Sequence, residues 1–172
     1  MTQYISSDTN VWIDFAIIDA IEIPFYLNCE YLMYRDSFES ELLSPVWLKK
    51  RLLDLGIRCI EIDLAEFNLV GELSLKYRKK HLSREDCVAL AIAKHRNITL
   101  MTGDKRLREA AECERVKVIG TIGVLDWAFR EGHISREQIV KCLEELRDNP
   151  TIRLPREALE SRIRKYRSKN DE

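Results

Sequence analysis

The sequence predicts an α/β fold built on a parallel sheet that helices cover on both faces. Strand-like apolar segments alternate with helical patterns along the chain, which is the arrangement of repeated βαβ units. The chain has 172 residues, 45% of them hydrophobic and 33% charged, so we expect one compact domain with a sizeable core. No internal repeat or low-complexity tract interrupts the pattern.

Five segments have the length and apolar content of strands, and helical patterns separate them. The predicted strands are residues 4–7, 30–34, 57–62, 98–101 and 116–119. The predicted helices begin near residue 11, at 36 and at 44, then cover residues 64–79, 83–93, 106–112, 121–130 and 135–147, and the last opens at 155.

Local residue choices support several of these helices. Ser44-Pro45 is typical of a helix start, and Gly56 of a helix end. Ser83 can cap the next clear helix, whose small apolar residues 87–93 suggest burial on most sides. Pro155 opens a final helix that is strongly basic. We therefore predict a domain over residues 1–150, with residues 151–172 as a basic C-terminal helix of the same unit.

Acidic residues follow the predicted strands. Asp8 comes directly after the first strand and Asp104 after the fourth, while Asp86 lies in the first turn of the helix that leads into the fourth. Glu39 and Glu41 lie on the helix after the second strand. Parallel sheets bind ligands at the carboxyl ends of their strands, where the strand order reverses, so these acids are expected to meet in one crevice.

Clustered carboxylates repel each other and are costly to desolvate, and a hard divalent cation relieves both effects. Mg²⁺ or Mn²⁺ prefers such oxygen ligands, can lower the pKa of a bound water and can neutralise a phosphate. Phosphodiester hydrolysis is the chemistry that suits this arrangement best. The sequence contains no nucleophile elbow or Walker loop that would indicate another reaction.

Each acid also has a structural interpretation. Asp86 stands three residues after Ser83 and can complete a capping box, and Asp104 can cap the following helix.

Two other classes of protein remain open. An aspartate-based phosphatase would use Asp8 as its nucleophile, but Asn10 stands where its second acid is expected. A receiver-like signalling domain would use Asp63, but lacks an adjacent acid pair after the first strand.

Three segments resemble the PIN domain family, particularly stand-alone prokaryotic members of the VapC-toxin type. They are Ser7-Asp8-Thr9-Asn10-Val11-Trp12-Ile13, then Leu82-Ser83-Arg84-Glu85-Asp86 with Ala89-Leu90-Ala91, and Leu100-Met101-Thr102-Gly103-Asp104-Lys105-Arg106-Leu107-Arg108. The resemblance implies a three-layer α/β/α fold with sheet order 3-2-1-4-5. It also implies a Mg²⁺- or Mn²⁺-dependent ribonuclease, often a toxin that pairs with an antitoxin protein. A PIN-like module that binds nucleic acid with little or no cleavage is the alternative.

The resemblance also assigns roles to individual residues. It implies that Asp8, Asp86 and Asp104 are catalytic and hold the metal, and that Asn10 and Thr102 orient those carboxylates. The family places its second acid as a Glu before a Leu on the helix after the second strand. Glu41-Leu42 fits this pattern, so Glu41 is preferred as the fourth catalytic residue, although helical geometry alone does not separate it from Glu39.

Basic residues near the acids are candidates for binding RNA phosphates. Lys105, Arg106 and Arg108 follow Asp104 directly, although any one of them could belong to a solvated helix face. The C-terminal segment carries a second group, Arg153, Arg156, Arg162, Arg164, Lys165, Arg167 and Lys169. This segment could bind RNA or an acidic partner such as an antitoxin, or could be a frayed terminus.

The remaining composition predicts little about partners. The net charge is −1, so any nucleic-acid surface requires uneven placement of the 28 Lys and Arg residues. Five scattered cysteines without a C-x-x-C pair, and no apolar stretch that could span a bilayer, predict reduced thiols in a cytoplasmic protein without a membrane partner. Self-association as a homodimer through a helix face is compatible with the sequence.

Overall fold

The computed structural model describes residues 2–168, and the elements below refer to that range. The strands are β1 (Gln3–Ser7), β2 (Cys29–Tyr34), β3 (Arg58–Ile60), β4 (Thr99–Met101) and β5 (Val118–Ile119). The helices are α1 (Thr9–Ile17), α2 (Arg35–Glu41), α3 (Leu48–Leu55), α4 (Leu64–Lys76), α5 (Arg84–His95), α6 (Lys105–Cys113), α7 (Thr121–Arg130), α8 (Arg136–Asp148) and α9 (Arg156–Arg167).

The strands of the described chain form one parallel sheet in the order β3-β2-β1-β4-β5. The chain winds outward from β1 to β3 and then returns to pair β4 with the other side of β1. The predicted α/β class and sheet order are therefore confirmed. The reversal lies between β1 and β4, which is where the crevice of a doubly wound sheet forms.

Each face of the sheet has its own apolar core, because successive strand residues point to opposite faces. On one face Ile5, Met33 and Met101 pack with α1, α3, α7, α8 and α9. On the other face Tyr34 and Leu100 pack with α4, α5 and α6. Helices thus cover both faces, and the predicted three-layer arrangement is confirmed.

Buried helix α5 is fixed to the central strand by a side-chain hydrogen bond. The Ser6 hydroxyl of β1 donates to the Ala89 carbonyl at 2.9 Å. Every residue from Cys87 to Ala93 is buried, as the small apolar run predicts. This packing sets the position of the first turn of α5, which carries Asp86.

Several predicted boundaries were wrong by a few residues. Helix α3 begins at Leu48 instead of Ser44-Pro45, because the Leu48 amide closes a turn on the Pro45 carbonyl at 3.0 Å. Helix α4 ends at Lys76 instead of Lys79, and a short 3-10 turn follows it. Strands β3 and β5 are also shorter than predicted.

The five cysteines are free thiols, as their scattered spacing predicts. Cys87 and Cys142 are buried, whereas Cys113 is exposed. None of the helices within residues 2–168 has the length and apolar character needed to cross a membrane.

Candidate active site

The carboxyl ends of β1 and β4 lie side by side and carry two of the predicted acids. Ser7 of β1 is in register with Met101 of β4, and the backbone amide of Asp8 donates to the Met101 carbonyl at 3.0 Å. Asp8 follows β1 and caps α1, while Asp104 follows β4 and caps α6. Both acids therefore stand at the point where the strand order reverses.

Hydrogen bonds hold both carboxylate oxygens of Asp8, which is buried. Its Oδ1 accepts from the Thr9 backbone amide at 2.8 Å, and its Oδ2 accepts from the Thr102 hydroxyl at 2.8 Å. The same Thr102 oxygen accepts from the Asp104 backbone amide at 3.1 Å. One threonine thus links the first strand's acid to the backbone of the fourth strand's acid.

Asp104 uses one carboxylate oxygen to cap its helix. Its Oδ1 accepts from the Leu107 amide at 2.9 Å, while its Oδ2 lies 3.6 Å from the Arg106 guanidinium. The turn before it is held by Asn10, whose Oδ1 accepts from the Gly103 amide at 3.0 Å. Asn10 therefore fixes the path of the chain that presents Asp104.

Asp86 forms the capping box that its spacing from Ser83 predicts. The Ser83 amide donates to Asp86 Oδ2 at 2.8 Å, and the Asp86 amide donates to Ser83 Oγ at 3.0 Å. Burial raises the pKa of Asp86, and the charge of Asp104 raises it further, whereas Arg106 lowers it. Asp86 therefore completes the capping box of α5 and also lies within electrostatic range of Asp104.

The structure places Glu41 and Glu39 in different surroundings. Glu41 Oε2 accepts from the Thr9 hydroxyl at 3.1 Å, and that hydroxyl lies 3.5 Å from Asp8 Oδ1. Glu39 is exposed and pairs with Lys49 at 3.2 Å. Of the two glutamates on α2, Glu41 is therefore the one that joins the acidic cluster.

Burial and repulsion from neighbouring carboxylates raise the pKa values of three of these acids, Asp8, Glu41 and Asp86. Burial raises the pKa of Asp8 to about 7, with further increases from the charges of Asp86 and Glu41, while the hydrogen bonds from Thr102 and Thr9 act in the opposite direction. Burial also raises the pKa of Glu41, and the charge of Asp86 adds to this. Such a group of carboxylates favours a bound proton or cation.

The oxygen donors of the cluster suit a hard divalent cation. However, in the part of the chain that the structure describes, no three His, Cys, Asp or Glu side chains are grouped so that they could hold a metal ion. Asp8, Asp86 and Asp104 are therefore not assembled as a closed ligand set. Mg²⁺ usually keeps several waters and binds through one or two carboxylates, so the cluster fits a largely hydrated ion.

A comparison with protein-family models decides the family. The model described as a PIN domain matches residues 5–168, which is nearly the whole chain. This chain belongs to the PIN domain family. Comparisons with curated proteins and with solved structures gave no match. PIN domains are in general nucleases and typically use divalent metals, so the cluster at the switch point lies in a nuclease-like fold.

The three basic residues after Asp104 have different surroundings in this PIN domain. Arg106 lies beside Asp104 and close enough to Asp86 to lower its pKa. Lys105 and Arg108 instead line a groove that begins beside Asp104, and Arg108 also donates to the Thr102 carbonyl at 3.4 Å. Of the three predicted phosphate-binding residues, Lys105 and Arg108 therefore line the groove, and Arg106 lies beside the acids.

Two polar residues of the PIN domain's site region were not predicted from the sequence. Thr9 bridges Asp8 and Glu41, as described above. Asp14 lines the groove and accepts from the Thr121 hydroxyl at 2.8 Å, and burial raises its pKa to about 6. Asp14 stands four residues after Asn10, on the same face of α1, and this spacing could have indicated it.

The basic C-terminal helix packs on the domain, and the family match includes it. Leu159, Ile163 and Tyr166 of α9 are buried in the core that α7 and α8 share. Arg162 pairs with Asp126 at 2.8 Å, and Arg167 pairs with Glu144. Residues up to Ser168 are therefore folded, and part of the positive charge is used within the chain; Lys169 lies outside the described residues.

Proposed function

We propose that this chain is a Mg²⁺- or Mn²⁺-dependent endoribonuclease. The observation that carries the proposal is the cluster of Asp8, Glu41, Asp86 and Asp104, with Asp8 buried, at the switch point of a PIN domain. The raised pKa of Asp8 supports it, because a buried carboxylate with acidic neighbours is stabilised when a cation binds.

In this proposal Asp8, Asp86 and Asp104 hold the cation, directly or through its waters. When bound, the ion lowers the pKa of a water and neutralises charge on the phosphate. Thr102 and Thr9 keep the Asp8 carboxylate in one orientation through the hydrogen bonds described above. Glu41 lies beside them with a raised pKa, which suits a group that accepts a proton from the attacking water.

RNA as the substrate and a role as a toxin are finer proposals, supported by the resemblance to VapC-type proteins. An antitoxin or a second copy of the chain would bind to an exposed apolar surface of the domain. Leu64, Phe67 and Leu75 on α4 are exposed apolar side chains that could belong to one. We expect expression of the wild-type chain to arrest growth of a host cell, and Asp8→Asn to abolish the arrest.

The test of the nuclease proposal is cleavage of labelled single-stranded RNA, and of DNA of the same sequence, in Mn²⁺, in Mg²⁺ and in EDTA. We expect cleavage of RNA with either metal and none in EDTA. Asp8→Asn and Asp104→Asn should each lower the rate by about a hundredfold or more, because a metal ion contributes several kcal/mol to stabilising the transition state.

Glu41→Gln should also slow cleavage, because it removes the carboxylate that accepts the proton in this proposal. Glu39→Gln is its matched control, because both glutamates lie on α2 and only Glu41 contacts Thr9. The control should cleave at the wild-type rate. Cleavage that persists in EDTA, or in both aspartate variants, would contradict the proposal. Tight RNA binding without cleavage under any metal condition would favour the binding module instead, and DNA cleavage without RNA cleavage would reassign the substrate.

A further inference from the structure

A groove of about 1000 Å³ lies between the acidic cluster and the C-terminal segment. Asn10 and Asp104 line it, together with the residues that precede α9. Its volume is at the upper end of the range for pockets that enclose drug-sized ligands, so it has room for a nucleotide. The groove is continuous with the candidate active site because Asn10 and Asp104 belong to both.

The C-terminal segment is in close proximity to the turn that carries Asp104. A Cβ placed on Gly103 would lie 3.8 Å from a terminal carbon of Leu154 and 3.6 Å from Asn10 Oδ1. Leu154 and Arg153 both line the groove. The segment before α9 therefore forms one wall of the groove immediately beside the acidic cluster.

The cations of the groove differ in their partners. Arg162 is paired with Asp126 at 2.8 Å, and half-buried Arg108 donates to the Thr102 carbonyl at 3.4 Å. Lys105 and Arg153 are exposed, and among residues 2–168 neither has a carboxylate within salt-bridge distance. These two side chains leave positive charge free at the rim, where a phosphate would meet it.

The interior of the groove has the mixed character that suits an unpaired base. Ile13, Ile122 and Leu154 provide apolar surface, while the Asp14 carboxylate and the Thr121 hydroxyl provide polar groups. In a duplex, the faces of a base are stacked and its edges are paired. A base that packs against apolar side chains must therefore come from a single strand. The ligand chemistry is therefore a single strand with phosphates at the rim and a base inside.

We propose that this groove holds the single-stranded RNA segment next to the scissile phosphate, with Arg153 and Lys105 contacting its phosphates. The inference rests on the proposed nuclease function. It adds that the C-terminal segment forms part of the substrate-binding surface, so that α9 positions Arg153 as well as completing the core.

The test measures binding of a fluorescent single-stranded RNA by anisotropy as salt is varied. All variants are made in the Asp8→Asn background with Mn²⁺ present, so that the RNA stays intact. Arg153→Ala and Lys105→Ala should each weaken binding by about 3- to 10-fold and reduce the slope of log affinity against log salt by roughly 0.7, the value for one phosphate contact on a single strand. Arg153→Glu should weaken binding more than Arg153→Ala.

Arg164→Ala is the matched control, because Arg164 is an exposed arginine of the same segment that does not line the groove. It should bind RNA like the parent. The inference would be overturned if Arg153→Ala and Lys105→Ala bound RNA with the affinity of the Asp8→Asn parent. It would also be overturned if Arg164→Ala lost as much affinity as they do, or if the parent did not bind RNA. Cleavage is scored separately in the wild-type background, so failure to cut RNA would overturn the nuclease proposal while the groove result stands.

Discussion

Two threonine hydroxyls determine how the acidic side chains face each other. Thr102 donates to Asp8 Oδ2 and accepts from the Asp104 amide, and Thr9 donates to Glu41. A hydroxyl can donate and accept at once, so a single threonine can satisfy a carboxylate and a backbone amide that follow different strands. The orientation of the cluster therefore depends on residues that are not themselves acidic.

Thr102→Val tests this orienting role. The change keeps the shape but removes the hydrogen bond that lowers the pKa of Asp8, which is already raised to about 7. A larger fraction of Asp8 is then protonated at neutral pH, so the acidic limb of the rate profile should move to higher pH. We expect the cleavage rate at pH 7 to fall by about 10- to 100-fold.

Thr102→Ser, which retains the hydroxyl, should recover most of the rate and the wild-type pH profile. The measurement is the initial rate of RNA cleavage between pH 5 and 9. A slower Thr102→Val enzyme whose pH profile does not move would show that the threonine acts only through stability.

Helix α5 combines a capping function with the presentation of an acid. Asp86 closes the capping box with Ser83, and α8 has an equivalent box formed by Ser135 and Gln138. The two boxes have similar geometry, with amide-to-hydroxyl distances of 3.0 and 3.1 Å. Only the box of α5 contains a member of the acidic cluster. Replacing each serine in a separate variant therefore distinguishes an effect on stability from an effect on cleavage.

Ser83→Ala and Ser135→Ala should each lower the free energy of unfolding by about 1 kcal/mol, the usual effect of losing an N-cap hydroxyl. Urea denaturation measures this loss. Only Ser83→Ala should also slow RNA cleavage several-fold, because Asp86 loses one of the hydrogen bonds that hold it. Equal cleavage rates in the two variants would mean that the capping box does not help to position Asp86.

The C-terminal helix packs into the same core as the rest of the domain, so we expect the protein to unfold as a single cooperative unit. Leu159 of α9 is 2% exposed and belongs to the same apolar core as α1, α7 and α8. Tyr166 of α9 donates to Asp126 of α7 at 2.7 Å, which adds a polar tie between the helices. Residues after 150 therefore contribute to the core and are expected to unfold with it.

Leu159→Ala should lower the free energy of unfolding by about 2 to 5 kcal/mol, because it leaves a cavity in this core. Leu75→Ala on α4 is the control, since Leu75 is 77% exposed, and should change stability by no more than about 0.5 kcal/mol. Urea unfolding followed by fluorescence and by circular dichroism should give one transition for both variants. If Leu159→Ala kept the main unfolding transition at the wild-type urea concentration and added a separate transition at lower urea, α9 would be an independent unit.

The sequence by itself determined the α/β class and the sheet-edge positions of Asp8 and Asp104. Both follow from short-range patterns, namely the alternation of strands with helices and the acid that follows each of the two strands within three residues. The strand order was obtained from the family resemblance, because pairing between distant strands leaves no local pattern. The helix boundaries were less accurate, since turn closure at Pro45–Leu48 competes with helix formation.

Only the tertiary structure decided which polar residues share one site. Glu41 lies beside Thr9 and Glu39 beside Lys49. Residues two apart on a helix point to different sides, and the packing of α2 decides which side faces the acidic cluster. In the same way, packing of α9 brings Arg153 to the groove and pairs Arg162 with Asp126. Burial and charge pairing involve residues far apart in the chain, and a single sequence does not specify which of them meet.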